Sequence, residues 1–340
     1  MTSRPALDLT RSQILAYRRS VQALDERLPP GPASLQHVAW AGLQDSMPRA
    51  ALLSIHARVA GTGPSAWEDP SLVQVWGPRY STYVIARRDI AVFTLGRLPE
   101  DGANRRFAEG LAARLHAFLD GRTMSYSEAG HGLGVNPNAL RYAAPTGTVL
   151  IRWEGARRPT IWTIPAPDVD PTTARLELAR RHLHVFGPTT PGAFAQWAGI
   201  RPRRGVATFE GLGGDLTPVR TPVGDGFILA LDEPAFRASP GPAAPARLLP
   251  SGDTYYLLQD ADRELLVPER GRRPLLWTSR VWPGALFVRG EIAGTWRRAN
   301  ADLTVEPWRD LTAAEREAVE TEAHSLPLPG IPRIQVRWGG

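Results

Sequence analysis

The sequence predicts an α+β protein: three tandem winged-helix (helix-turn-helix) units followed by a small C-terminal β-barrel. Two observations predict it. Helically spaced apolar residues give way to a two-stranded ribbon three times over, and the chain then changes to short aromatic or β-branched segments separated by glycine and charged turns. The expected boundaries are 1–88, 89–166 and 167–237 for the three units, 238–247 for a linker, and 248–340 for the barrel with a terminal helix.

In the first unit, Thr10 is placed to cap a helix carrying Ile14, Leu15, Val21 and Leu24, which Pro29 and Pro30 stop. A second helix follows from Ser34 with Val38, Leu43 and Met47, and a third after Pro48 with Ala51, Leu52, Ile55 and Val59. Residues 73–75 and 82–85 flank Gly77-Pro78 and read as the ribbon. The second unit repeats this order, with helices at 105–119, 127–133 and 136–143 and a hairpin of 148–153 with 160–164 across a basic turn, 155–158. The third is less regular. Helices run at 171–186, from Thr190-Pro191 to Ala198 and at 207–212, with strands at 216–220 and 227–231. The three units share no clear sequence identity, so they are repeats of architecture.

Residues 238–246, rich in Pro, Ala, Gly and Ser, read as a linker. Segments 255–258, 264–267, 286–288, 291–296 and 303–307 read as the barrel strands, and Thr312 with Glu315 forms a capping box for a helix to about His324. The closing stretch 331–340 is an extra strand or a tail.

Composition narrows the chemistry. All 40 basic residues are Arg, against 34 acidic ones, leaving +6. A chain without lysine supplies no lysine Schiff base, no pyridoxal phosphate anchor and no P-loop amine. A chain without cysteine supplies no thiolate zinc site, iron–sulfur cluster or thiol nucleophile. No run of about 18 uncharged apolar residues and no signal-peptide layout is present, so a soluble, cytoplasmic, monomeric protein without cofactor or metal is expected. The pI near 10.2 is compatible with a polyanionic partner.

Residues 42–46 (Gly-Leu-Gln-Asp-Ser), Pro48-Arg49-Ala50 and the apolar stretch 53–59, then 86–89 (Ala-Arg-Arg-Asp), resemble the N-terminal signature of the winged-helix DNA glycosylases of the AlkZ and YcaQ type. Residues 186–191 through 197–199 resemble that family's third helix-turn-helix, and 281–284 with 294–298 its C-terminal β-domain. The resemblance runs from about residue 9 to 329. It implies a concave channel for double-stranded DNA and excision of bulky alkylated bases such as N7-alkylpurines. The family's catalytic signature, a Gln, one intervening residue, then Gln or Asp, falls on Gln44, Asp45 and Ser46: Gln44 matches, and Ser46 stands where Gln or Asp is usual.

Hydrolysis of an N-glycosidic bond passes through an oxocarbenium-like sugar and needs a group that positions water. An N7-alkylated purine already carries positive charge, so an amide such as Gln44 suffices, with Asp45 and Ser46 beside it as candidates. The competing reading of Asp45 and Ser46 is helix capping after Pro48. Without lysine, the expected enzyme is monofunctional, cutting no strand through a lysine Schiff base. The alternative is a non-catalytic winged-helix DNA-binding protein or a transcription regulator.

Phosphate contacts are expected from Arg49, Arg87, Arg88, Arg157, Arg158, Arg203 and Arg204, with Arg297-Arg298 weighed beside them, because these arginines sit at predicted turns and wings. Ordinary surface charge is the competing explanation. His56 reads as a partly buried polar residue, and His182 with His184 lacks a third ligand at metal spacing. Trp162, Trp197, Trp277, Trp282 and Trp296 read as packing before base stacking.

Overall fold

Three times along the chain a group of helices hands over to an antiparallel hairpin. The computed structural model describes residues 7–339 apart from 48, 101, 156–158, 240, 260 and 332. The first group comprises β1 (Leu7–Asp8), α1 (Arg11–Val21), α2 (Pro32–Val38), β2 (Leu43–Gln44), α3 (Ala50–Arg58), β3 (Leu72–Trp76) and β4 (Thr82–Ala86). After α4 (Ile90–Thr94) come α5 (Gly102–Leu119), β5 (Met124–Ser125), α6 (Tyr126–Gly132), a 3-10 stretch (Pro137–Thr146), β6 (Val149–Arg152) and β7 (Thr160–Thr163). The third group is α7 (Pro171–Phe186), α8 (Pro191–Ala198), α9 (Pro202–Leu212), β8 (Leu216–Thr221) and β9 (Gly224–Leu229), followed by α10 (Glu233–Arg237). The remainder is β10 (Ala246–Leu249), α11 (Asp262–Leu266), α12 (Arg273–Leu276), β11 (Gly284–Val288), β12 (Glu291–Ala299), β13 (Asp302–Pro307), α13 (Ala313–His324) and β14 (Gln335–Trp338).

The starts of the helices follow from local chemistry. Thr10 accepts from the Gln13 backbone while the Gln13 side chain accepts from the Thr10 backbone, and the same reciprocal box opens α6 (Ser125, Glu128) and α13 (Thr312, Glu315). Proline occupies the first turn of α7, α8 and α9, where its missing N–H costs nothing.

Each group carries a three-stranded sheet, ordered β2-β4-β3, β5-β7-β6 and β1-β8-β9. β1 runs parallel to β8, with Leu7 opposite Val219, so the N-terminal residues expected in the first unit complete the sheet of the third. Gln74 of β3 joins the first two groups: its Oε1 accepts from the Trp153 N–H at 2.6 Å and its Nε2 donates to the Trp153 carbonyl at 3.1 Å. The largest apolar core runs through the first and third groups into the C-terminal part, with Tyr83, Phe93, Phe194, Trp197, Tyr255 and Phe287 all buried.

The C-terminal part departs from the expected barrel. Its five strands lie in the order β10-β11-β12-β13-β14, and among the described residues β14 does not return to β10. Closure is unnecessary because both faces are already covered. Leu248, Leu286, Trp296 and Val305 pack with Val319 and Ala323 of α13, while Leu249, Ala285 and Phe287 belong to the main core. Residues 246 and 247, expected in the linker, open β10. The expected strands 255–258 and 264–267 are instead a 3-10 turn, for which Asp253 accepts from the Tyr255 N–H, and α11.

Among the described residues, Arg18, Arg19, Arg58, Arg97, Arg175, Arg181, Arg204 and Arg247 are buried. Their guanidinium forks bind carbonyls and carboxylates inside the fold, as Arg18 does with the carbonyls of Phe186, Gly187 and Pro188. Many arginines are therefore interior fasteners, not surface charge.

Candidate active site

The site is built on β2, where a helix was expected. α2 ends at Val38, and Gly42 then adopts φ +75°, with space for a Cβ denied by Phe93 and Tyr83 ring atoms 2.9 Å away. Residues 43 and 44 pair with Val84 and Tyr83 of β4, and the Asp45 N–H continues the ladder to the Thr82 carbonyl. Alternation in extended chain, instead of a 100° helical step, thus sets the facing of the motif.

Gln44 and Ser46 share one side and are half-buried, with Gln44 Nε2 donating to Ser46 Oγ at 3.3 Å. Gln44 Oε1 accepts from Arg79 Nη2 at 3.3 Å and from the Tyr83 hydroxyl at 3.4 Å. Burial pushes the Tyr83 phenol up, so it stays a neutral donor. A Cβ on Gly252 would stand 3.3 Å from Gln44 Nε2, which places the C-terminal loop directly over the amide.

Asp45 is turned inward, 5 % exposed, with Oδ1 accepting from the Ala51 N–H at 3.0 Å and Oδ2 from Gln74 Nε2 at 2.7 Å. It satisfies an orphan donor at the start of α3 and holds the Gln74 bridge. Burial raises its carboxyl to about 6, against the lowering effect of these hydrogen bonds. The carboxylate expected beside Gln44 therefore points away from it, toward the start of α3 and Gln74.

A buried ion pair locks the loop over Gln44. Arg58 of α3 grips Asp253 through two 2.7 Å contacts, the Ser54 hydroxyl donates to Asp253 at 2.7 Å, and Thr254 Oγ1 donates to the Gly42 carbonyl at 3.3 Å. Arg79 is set by the hairpin turn between β3 and β4, in which Arg79 and Tyr80 both adopt positive φ. Gly199, at φ +71° after α8, lets that turn approach: a Cβ there would lie 3.0 Å from the Arg79 nitrogen.

The expected phosphate contacts scatter. Arg88 and Arg203 are exposed. Arg87 is exposed and donates to the carbonyls of Pro70 and Leu72, and Arg49 lies 5.3 Å over the Trp67 ring. Arg204 is buried, donating to the Leu98 carbonyl and Glu100, which removes it from the surface. Arg157 and Arg158 lie outside the described residues. Arg297 donates to the Val281 carbonyl and Arg298 to that of Asn300.

His56 is away from Gln44, bonded to Ser325 at 3.0 Å, and burial lowers its pKa to about 3. His182 sits among Phe186, Phe194 and Trp197, and no group of three metal-ligating side chains occurs among the described residues. Trp197, Trp277 and Trp296 are buried in the core, with Trp162 and Trp282 packed against it. Arg79, Tyr83, Gly252 and the Arg58–Asp253 pair escaped the sequence reading. Tyr83 alone had a sequence signal, its place in the predicted strand 82–85.

A family model for DNA glycosylase AlkZ-like proteins matches residues 35–327. The chain belongs to the AlkZ-like DNA glycosylase family. Streptomyces sahachiroi DNA glycosylase AlkZ has a similar structure, with a TM-score of 0.78 and 20 % sequence identity over 98 % of this chain and 100 % of that one. At that identity the likeness carries the fold. No curated protein sequence matches the chain. Family membership makes this a DNA-repair glycosylase with DNA as its substrate, and no helix among the described residues is long and apolar enough to cross a membrane.

Proposed function

We propose that this AlkZ-like protein is a monofunctional glycosylase that hydrolyses the N-glycosidic bond of N7-alkylpurine-like bases in double-stranded DNA. In this reading the three helix-plus-hairpin units act as winged helices, and the protein works as a monomer. The observation that carries the proposal is the half-buried Gln44 amide, oriented from both ends by Arg79, Tyr83 and Ser46.

One Nε2 hydrogen of Gln44 is committed to Ser46, which leaves the second hydrogen and a lone pair of Ser46 Oγ to hold a water between them. The alkylated purine departs as a neutral base, taking the bonding electrons, the water oxygen closes on C1′ of the cationic sugar, and the proton which that water sheds passes to bulk solvent. A strong base is unnecessary for such a leaving group, which suits a site whose one adjacent carboxylate faces inward. Gln44 and Ser46 are the groups next to the reacting atoms, and Asp45 is a positioning residue. Arg49, Arg87, Arg88 and Arg203, with Arg157 and Arg158, supply phosphate contacts.

The test incubates the protein with a duplex bearing one N7-methylguanine. Free base should appear, and strand scission should follow only after alkali. Absence of base release, or scission without alkali, overturns the proposal; binding without release makes the chain a non-catalytic DNA-binding protein.

A further inference from the structure

A cavity of about 420 Å³ opens where the three helix-plus-hairpin groups meet, and none of Gln44, Asp45 and Ser46 lines it. Its walls come from the β3–β4 turn (Tyr80), α5 (Phe107), the 3-10 stretch (Tyr142), the α8–α9 turn (Arg201) and the first turn of α9 (Arg203). Such a volume accommodates one small ligand.

The walls combine two chemistries. Tyr80 and Tyr142 meet edge to face at 5.0 Å, with Phe107 tilted 6.3 Å from Tyr142. Phe107 and Tyr142 are 55 % and 37 % exposed, so aromatic faces remain uncovered at the mouth. Arg203 lines the same cavity and is exposed, while Arg97 and Arg204 beside it are held by the carbonyls of Trp76, Ala198 and Leu98 and by Glu100. Arg204 is 7 % exposed and its Nε has no hydrogen-bond partner among the described residues. Uncovered rings beside an exposed guanidinium match an aromatic anion, since the faces of Phe107 and Tyr142 can stack on a base and the Arg203 fork can pair with phosphate oxygens.

We infer that this cavity is a second site, which binds one nucleotide, its base against Phe107, Tyr142 and Tyr80 and its phosphate at Arg203. A free nucleotide and an unpaired nucleotide of the DNA present the same chemistry to it. The cavity adjoins the candidate active site through consecutive residues, because Tyr80 lines it while Arg79 contacts Gln44. The inference does not depend on the hydrolytic role of Gln44.

Calorimetric titration of the full chain with dGMP, deoxyguanosine and inorganic phosphate tests it. One saturable site for dGMP is expected, with Kd below about 1 mM and with each fragment binding at least about tenfold more weakly. Tyr142→Ala and Phe107→Ala should each weaken dGMP roughly 5- to 150-fold, the range of base–aromatic stacking. Arg203→Gln should weaken it as well, and Gln44→Ala should leave it unchanged. Exposed positions make the first three variants safe for the fold, which circular dichroism checks. A duplex with a one-nucleotide bulge that competes with dGMP, where the fully paired duplex does not, assigns the site to DNA; a bulge that fails to compete assigns it to free nucleotide. Saturation absent for dGMP, phosphate alone binding as tightly, or indifference to both aromatic variants would overturn the inference.

Discussion

Replacing Asp45 by Asn separates a structural carboxylate from a catalytic one. In the folded protein its carboxyl is raised from 3.8 to about 6 by burial. Between those values the native state keeps a proton that the unfolded chain has released, so this group's contribution to stability falls as pH rises through the window. From pH 5 to 7.5 the loss is on the order of 1 kcal/mol. Asn does not titrate. Its amide faces the Gln74 amide, and that unfavourable meeting is the same at both pH values. Urea unfolding of both proteins at pH 5 and pH 7.5 should therefore show the variant gaining on the order of 1 kcal/mol on the wild type at the higher pH. Base release per folded molecule should persist. A pH-independent difference between the two proteins, or a folded variant that releases no base, would refute the inward-facing role.

Gln44→Ala should cut single-turnover base release roughly 10²- to 10³-fold, the usual cost of deleting one oriented polar group at a reacting centre, while Ser46→Ala costs less and neither moves the unfolding midpoint. Asp253→Asn leaves Arg58 charged and unpaired in the interior and should destabilise by about 3–5 kcal/mol in urea unfolding. His56 and His182 have pKa values lowered to about 3, so below pH 6.5 only the unfolded chain takes up their protons. Each should withdraw about 2 kcal/mol by pH 5, and His56→Gln should flatten that part of the pH–stability curve. Arg88→Gln should weaken DNA binding on all sequences and reduce the salt slope by about 1 in mobility shifts at graded salt.

Much of the helix framework was legible because its signals are local. Thr10, Pro171, Thr190-Pro191 and Thr312 with Glu315 announce helix starts within four residues, and the structure has helices at each. The segment around Gln44 was misread because Val38, Leu43 and Met47 also fit helical spacing. Pairing with β4, nearly forty positions on, and the left-handed Gly42 decide that segment, and neither is visible in a short window. The barrel was misread for a similar reason: alternating apolar strands describe a sheet covered on both faces as well as a closed one. The Gln44 position followed from the family resemblance, but Arg79 and Gly252 were illegible. Their places depend on a turn with two successive positive φ values and on a buried ion pair spanning 195 positions.

That long span has a consequence for how the protein is made. Synthesis runs from the N-terminus, so Gln44 emerges early and waits for a partner encoded far downstream. Arg58 remains without its counter-charge until Asp253 leaves the ribosome, and the roof over the amide cannot settle before then. A nascent or prematurely ended chain carries complete hairpins and exposed guanidinium groups yet has no finished cleft. Affinity for DNA can therefore arise before the power to cut its bases loose.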